Sequence, residues 1–328
     1  MIPWPPARAC PRARLFSGLA AIPGVASSAP PRYGKGMAKH RASILVTGAT
    51  GNVGAPLLGC LEELGAAGVR AAVRDPSTIE ASALHGAEAA ALDFADPRTF
   101  GPALEGIERV FLMRPPAVTD IRGTIDPFVR AAKAAGVRRV VVLSLQGVER
   151  NPFVPHARME ASVVASGIPH TFLRAGFFMQ NLSTTHRADI VEHGDIFVPA
   201  GEGRTAFIDA RDIAAVAARA LLDEGGRAAS RAHDLTGAEA LSYAEVAATF
   251  SEVLGRPIRY SDPSPLRFAS RWHKRGVPFA YIAVMTAIYT AARLGLAARV
   301  SPEAGELLGR APITMRQFIE DHRHVFRA

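Results

Sequence analysis

The glycine-rich segment at residues 47–54 constrains the fold of this chain more than any other feature. It reads Thr-Gly-Ala-Thr-Gly-Asn-Val-Gly, follows a short aliphatic run, and ends where a helical stretch begins. A dinucleotide-binding turn requires this strand–turn–helix context. Gly48 permits the tight turn, Gly51 lets the backbone approach a pyrophosphate, and Gly54 allows close packing of helix on strand. We therefore predict cofactor contacts from Gly48, Thr50, Gly51, Asn52, Val53 and Gly54.

The first half of the chain alternates short aliphatic runs with alanine-rich helical stretches. We predict six strands, at residues 44–47, 69–73, 87–92, 109–113, 140–143 and 170–174. Strands separated by helices of this length form βαβ units and a parallel sheet. The expected fold is α/β, a Rossmann-type doubly wound parallel sheet with a smaller C-terminal α/β lobe. Residues 44–176 would form the NAD(P)-binding core, and residues 177–328 would return to the core and form the substrate-side lobe.

The N-terminal extension, residues 1–43, carries seven cations and no acid, so it contributes +7 of the net charge of +8. The rest of the chain is nearly neutral and lacks the clustered positive charge of a nucleic-acid-binding face. We therefore predict no direct nucleic-acid partner. Because its prolines oppose a helical targeting signal, we expect a disordered extension with a possible start at Met37. A targeting segment is the alternative.

Two features bear on the compartment. With only Cys10 and Cys60, the chain has no disulfide framework, and we expect a cytoplasmic location. Residues 277–292 contain no charged side chain, but these 16 residues fall short of the roughly 20 that a membrane-spanning helix needs. We predict no membrane span and a buried or pocket-lining helix there. Contact with a membrane surface is the alternative.

The residues after the predicted strands indicate which nicotinamide cofactor binds. Arg74 follows the second strand, and its guanidinium can pair with a 2′-phosphate, so NADP(H) is preferred. Asp75 comes next and leaves NAD(H) possible, because an acid there can hold the ribose 2′-hydroxyl. Residues after the third, fourth and fifth strands lie at the edge where open α/β sheets bind ligands. They add four predicted cofactor contacts, Asp93 and Phe94 at the adenine, Arg114, and Ser144.

Taken together, these motifs resemble the NmrA-like group of atypical short-chain dehydrogenases/reductases. The resemblance runs from residue 44 nearly to the C-terminus. It rests on the glycine turn, on Val-Arg-Asp-Pro at 73–76, on residues 166–174, on Phe-Phe-Met-Gln-Asn at 177–181, and on residues 207–214. Within the group, the chain is most similar to quinone- and azo-reductase-like members that use NAD(P)H. The resemblance implies a Rossmann core with a small lobe closing over the nicotinamide. The group also includes non-enzymatic redox sensors.

The catalytic group is less evident, because the Tyr-x-x-x-Lys pair of typical short-chain reductases does not occur in this sequence. His156 and Glu160 have that spacing, so His156 is the candidate general acid and Glu160 could orient it. Alternatively, His156 caps a helix or touches the cofactor amide, and Glu160 pairs with a surface arginine. We predict that Phe177, Phe178 and Met179 form an apolar wall of the substrate pocket, with ordinary core packing as the alternative.

The sequence therefore predicts an NADPH-dependent oxidoreductase that transfers hydride to a small conjugated acceptor, a quinone or an azo-like compound. The alternative is a non-enzymatic NADP(H)-sensing regulator that acts through a protein partner, which the missing Tyr-Lys pair favours. The ten histidines form no zinc motif and the cysteines no cluster, so no metal is predicted.

Overall fold

The computed structural model describes residues 43–224 and 230–327. The predicted N-terminal extension, with its possible start at Met37, lies outside the described residues. The strands are β1 (Ile44–Val46), β2 (Val69–Val73), β3 (Glu88–Ala91), β4 (Arg109–Leu112), β5 (Arg139–Leu145), β6 (His170–Ala175), β7 (Phe177–Phe178), β8 (Asp195–Ile196), β9 (Arg204–Ile208), β10 (Arg231–Leu235), β11 (Ala240–Ser242) and β12 (Arg259–Tyr260). The α-helices are α1 (Gly54–Glu63), α2 (Phe100–Leu104), α3 (Ile125–Ala134), α4 (Pro155–Ser166), α5 (Gln180–Ser183), α6 (Arg187–His193), α7 (Ala210–Leu222), α8 (Tyr243–Leu254), α9 (Pro265–Lys274), α10 (Phe279–Arg293), α11 (Glu303–Leu308) and α12 (Met315–Asp321).

Seven parallel strands form the main sheet, in the order β10-β6-β5-β4-β1-β2-β3. All six strands predicted from the first half are present, and the Rossmann-type fold is confirmed. The three residues of β1 are Ile-Leu-Val and are fully buried, as expected for a central strand covered on both faces. The seventh strand, β10, comes from the second half of the chain and pairs with β6.

Helices cover both faces of this sheet. One face packs against α1 and α7, which also contact each other. The other face packs against α2, α3 and α4. At the centre of that second layer, the Phe128 ring meets Phe94 and Phe100 edge-on, with centroids 5.2 and 5.4 Å apart. These two apolar layers fix the carboxyl ends of the strands at one edge of the molecule.

The C-terminal lobe has its own core. Strands β11, β9 and β7 form a small sheet, and β12 pairs with β8. The aromatic rings of Tyr243, Phe268 and Tyr289 pack together beneath that sheet, with centroids between 5.6 and 5.9 Å apart. Because β7 directly follows β6, this core lies beside the carboxyl edge of the main sheet.

Helix α10 is only partly buried, whereas the sequence predicts a buried or pocket-lining helix. It buries one stripe, formed by Ile282, Met285, Tyr289 and Ala292. Its opposite face is apolar but exposed, with Tyr281, Val284 and Ile288 on it. The prediction of a buried helix is wrong for this face, because composition alone does not reveal which faces of a helix find a partner, and pocket lining stays a prediction. Within residues 43–224 and 230–327, no helix has the length and apolar character to cross a membrane.

Candidate cofactor and active site

The candidate site lies at the carboxyl ends of the neighbouring strands β1 and β4. After β1 the chain continues to β2 on one side of this pair, and after β4 it continues to β5 on the other side. Ligands bind at such a switch point, outside the carboxyl ends of the strands. The fully buried hydroxyl of Thr47 joins the two strand ends. It accepts a hydrogen bond from the backbone N–H of Met113 at 2.7 Å and donates to the carbonyl of Phe111 at 3.0 Å.

The glycine turn has the geometry that the sequence predicts for it. Gly48 has φ +62°, in the left-handed region that favours glycine. A Cβ on Gly54 would lie 2.1 Å from the carbonyl oxygen of Gly48, so no side chain fits between turn and helix. This close approach brings the first turn of α1 directly under the end of β1.

The polar groups of the turn suit a pyrophosphate. No side chain caps α1 in the described structure. The N–H groups of Ala55 and Leu57 donate to the carbonyls of Gly51 and Val53, and Pro56 has no N–H, so among the described residues the Gly54 N–H is the group of the first turn that is left for an anion. The Oδ1 atom of Asn52 is buried and has no hydrogen-bond partner among the described residues. A buried polar atom left in this way is costly unless a ligand or water satisfies it. The residues present therefore fit a dinucleotide.

Met113 is a site residue that the sequence analysis did not single out. Its methyl group lies over the turn, 2.0 Å from where a Cβ on Gly48 would be and 3.3 Å from one on Gly51. A dinucleotide seated on the two glycines would touch this thioether. The only sequence signal for Met113 is its position directly after β4.

Arg74 and Asp75 follow β2, which ends at Val73 as predicted, and their side chains have different surroundings. The Asp75 carboxylate accepts the backbone N–H and the hydroxyl of Ser77, at 2.9 and 2.6 Å. These hydrogen bonds hold the pKa of Asp75 below its ordinary value. Arg74 is exposed and makes no ion pair or hydrogen bond within the described residues. The cation is thus free to bind a phosphate, whereas the acid is engaged in a turn.

The structure places Asp93 and Phe94 differently from each other. Asp93 is half-buried at the carboxyl edge, and its carboxylate accepts the N–H of Ala95 at 2.9 Å. Phe94 is buried in the second helical layer against Phe128. The Phe94 side chain therefore belongs to the core, and adenine contact stays a prediction for Asp93 and the backbone of this segment.

Arg114 and His156 lie together at the same edge. One Arg114 nitrogen donates to the carbonyls of Pro115, Pro116 and Val118, and the buried Nε has no partner among the described residues. Burial and the nearby Arg114 charge lower the pKa of His156 to about 4, against a smaller opposing effect of Glu160. The ring is therefore neutral at pH 7, so the expected donor is a neutral N–H rather than an imidazolium.

Glu160 does not orient His156, which corrects the sequence expectation. Its two oxygens accept from Nε and Nη2 of Arg174, at 3.0 and 2.7 Å. The hydroxyl of Ser144 also donates to Glu160, at 2.5 Å. Arg174 in turn contacts Glu149, at 3.3 Å. Arg174 is largely buried, because β6 carries it under α4, so this is an internal pair rather than a surface one. Cofactor contact by Ser144 stays a prediction.

The predicted apolar wall is split between surface and core. Phe177 and Phe178 are half-buried in β7, next to the carboxyl edge. Phe177 packs edge-on against Phe207, with centroids 5.5 Å apart. Met179 is buried within the core of the C-terminal lobe. The two phenylalanines are therefore the candidates for a wall, and Met179 supports them from behind. No group of three or more His, Cys, Asp or Glu that could hold a metal occurs among the described residues.

Comparison with known proteins finds relatives of this chain both in sequence and in structure. A model of the NmrA-like family matches residues 40–309. An NAD(P)H azoreductase from Xenophilus azovorans is 35% identical over 291 residues, which cover 87% of this chain and 99% of that protein.

Two solved structures of reductases are also similar. An NADPH-dependent quinone oxidoreductase from Escherichia coli, complexed with NADPH, superposes with a TM-score of 0.77 at 27% identity, covering 87% of this chain and all of that one. A triphenylmethane reductase from Citrobacter sp., complexed with NADP(H), superposes with a TM-score of 0.74 at 25% identity, covering 85% of this chain and 99% of the other.

Proposed function

The chain belongs to the NmrA-like family and is an NAD(P)H-dependent reductase, and from this premise we propose that it reduces a small conjugated acceptor with NADPH. The acceptor class is a quinone or an azo-like compound. The observation that carries the proposal is the free Arg74 guanidinium at the end of β2, beside a glycine turn with unsatisfied polar groups. The acceptor class is supported by two similar proteins, an NAD(P)H azoreductase and an NADPH-dependent quinone oxidoreductase.

Bound NADPH would supply the hydride, and the chain would position it. The N-terminus of α1 and the turn at Gly48 and Gly54 would bind the pyrophosphate. Arg74 would pair with the 2′-phosphate, which NADH lacks. Phe177 and Phe178 would exclude water from the transfer path. We expect this reaction in the cytoplasm, the location that the cysteine content indicates.

Proton delivery does not need a strong protein acid in this reaction. A quinone or azo acceptor takes one hydride and one proton, while NADPH is oxidised by two electrons. The developing charge on the acceptor is delocalised, and water can protonate it. The Arg114 charge and the neutral N–H of His156 would stabilise that developing charge, because both lie in a partly buried site where electrostatic interactions are strengthened.

The first experiment is Arg74→Gln in a steady-state assay of NADPH and NADH oxidation with a panel of quinones and azo dyes. Losing the charged contact should raise the KM for NADPH about tenfold or more and leave the KM for NADH nearly unchanged. Arg130→Gln removes an exposed arginine from α3 and is the matched control. An equal change for both cofactors would contradict the role of Arg74. NADPH binding without oxidation by any acceptor would favour the sensor alternative.

A further inference from the structure

The exposed apolar side chains of this protein are concentrated in one segment. Eight of the eleven large apolar side chains that are exposed in the described residues lie between residues 263 and 302. They are Leu266, Phe279, Tyr281, Val284, Ile288, Leu294, Leu296 and Val300. We call residues 263–302 the α9–α10 surface. Exposed apolar patches of this kind mark interaction sites in folded proteins.

The two helices of this surface form an antiparallel pair. They are joined by the four residues 275–278. Phe268, near the start of α9, contacts Tyr289, near the end of α10, with ring centroids 5.6 Å apart. The exposed positions Tyr281, Val284 and Ile288 repeat at helical spacing and share the outward face of α10. The start of α9 therefore lies beside the end of α10, which places Leu266 on the side of Leu294 and Leu296.

The same segment contains six cations and no acid. Four of the cations pair with carboxylates from elsewhere in the fold, two of them with the fully buried Asp189. The other two, Arg267 and Lys274, are exposed on α9 and make no ion pair within the described residues. An open cleft of about 460 Å³ runs along that helix, and its lining is mainly cationic: His193, Phe197, Arg267, Ser270, Arg271, Lys274 and Arg275. Two acids oppose this charge: Asp189 pairs with Arg271 and Arg275, and Glu192 has a smaller effect on Arg275.

We propose that the α9–α10 surface docks on the face of an anionic lipid bilayer. Exposed apolar side chains next to unpaired cations are the features by which helices lie in a membrane interface. The apolar face of α10 would enter the headgroup and acyl boundary, and Arg267 and Lys274 would meet lipid phosphates. The helices would lie on the bilayer rather than cross it.

Other occupants suit this surface less well. A second copy would bring a second set of unpaired cations, Arg267 and Lys274, to the interface, and the segment offers no acid of its own to pair with them. A nucleic acid would leave eight apolar side chains facing phosphates. An anionic bilayer offers phosphates to the unpaired cations and an apolar interior to the exposed apolar side chains.

The experiment is flotation of the full chain with vesicles, measured without any enzyme assay. Vesicles of phosphatidylcholine alone are compared with vesicles that also contain roughly one third phosphatidylglycerol. We expect binding to the anionic vesicles, weaker binding as salt concentration rises, and little binding to phosphatidylcholine alone.

Two matched pairs of variants locate the contact. Arg267→Gln with Lys274→Gln should lower the partition coefficient about thirtyfold, because each cation near an anionic surface contributes about fivefold. Arg130→Gln with Lys133→Gln removes the same residue types from α3 and should leave binding unchanged. Val284→Gln should weaken binding about fivefold, whereas Val164→Gln on α4 should not; the two valines are 56% and 54% exposed.

Three results would overturn the proposal. One is the absence of binding to anionic vesicles at low salt. Another is an equal loss of binding in each variant and its control. The third is a dimer, seen by sedimentation velocity, that Val284→Gln dissociates, because the surface would then be an interface between copies of the chain.

Discussion

Gly54 shows how one residue fixes the distance between the main sheet and α1. We predict that Gly54→Ala lowers stability by about 1–3 kcal/mol, because the added methyl group would meet the Gly48 carbonyl at 2.1 Å. NADPH affinity should fall as well, since the first turn of α1 must move away from the turn. Urea unfolding and calorimetric titration with NADPH would measure the two effects.

The control for this substitution is Gly101→Ala. Gly101 lies in α2, and a Cβ there would meet nothing within 4 Å. Alanine should therefore be neutral or stabilising by up to about 1 kcal/mol, because it restricts the unfolded chain and favours the helix. Equal destabilisation at both positions would show that the contact with Gly48 does not limit the Gly54 site.

His156 leads to a prediction about the pH dependence of turnover. With a pKa of about 4, its ring is neutral throughout the range from pH 5.5 to 7.5. Because His156 does not titrate in this range, we expect the wild type and His156→Gln to show the same pH profile of kcat/KM. Loss of a neutral N–H donor should lower kcat/KM by about tenfold at every pH. A wild-type profile that falls above pH 6.5, and becomes flat in the variant, would instead show an imidazolium acting as the acid.

The strands of the core could be predicted from the sequence because their signal is local. A central parallel strand such as β5 is a continuous aliphatic run, and its neighbours are fixed by βαβ connections. The glycine turn can be predicted for the same reason, because its three glycines fall within eight residues between a strand and a helix. The exposed face of α10 cannot be predicted in this way. Residues 277–292 carry no charged side chain, and such a sequence is compatible with a helix that is buried on all sides and with one that exposes an apolar face.

The partner of Glu160 could not be predicted for a different reason. Its ion pair with Arg174 joins α4 to β6, and its hydrogen bond from Ser144 joins α4 to β5. Such contacts depend on how three elements are packed, and spacing within one helix does not contain that information. Spacing suggested His156 as the partner, since the two residues are one turn apart.

A buried histidine joins two elements of the C-terminal lobe, and we predict that it makes stability depend on pH. His186, immediately before α6, is hydrogen-bonded through Nε2 to the hydroxyl of Tyr289 in α10. Burial, reinforced by the charge of Arg275, lowers the pKa of His186 from 6.5 to about 4, although Asp189 opposes this. As the pH falls, the unfolded chain therefore binds this proton before the folded protein does. The contribution of His186 to the free energy of unfolding is complete above pH 6.5 and is lost as the pH drops towards 4. The loss should reach about 3 kcal/mol.

Urea unfolding of the wild type and of His186→Gln across that pH range would test this. The variant should be less stable at pH 7 because the Tyr289 contact is altered, yet its stability should fall less steeply below pH 6.5. His273→Gln, at an exposed position of α9, should retain the wild-type slope. An unchanged slope in the His186 variant would place the pH dependence in other groups.

The α9–α10 surface is connected to the edge of the sheet that carries the candidate site. The backbone carbonyl of Arg299 accepts a hydrogen bond from Gln146, just after β5, at 3.1 Å. The Arg299 guanidinium also lies 3.2 Å from the carboxylate of Asp234 in β10. The segment that follows α10 is therefore attached to loops beside the strand ends. A bilayer that receives Leu294 and Leu296 would then lie close to the mouth of the site.

This arrangement predicts a preference for acceptors dissolved in the bilayer, and the prediction rests on both the proposed reductase function and the proposed docking. NADPH oxidation should be faster with a long-tailed quinone in anionic vesicles than with the same quinone in phosphatidylcholine vesicles. Val284→Gln should lower only the anionic-vesicle rate and leave the rate with a water-soluble quinone unchanged, whereas Val164→Gln should alter neither. If vesicles bind but no quinone is reduced, docking stands and the acceptor class is wrong. If the soluble quinone is reduced and vesicle charge has no effect, the reductase stands and acceptors reach it from water.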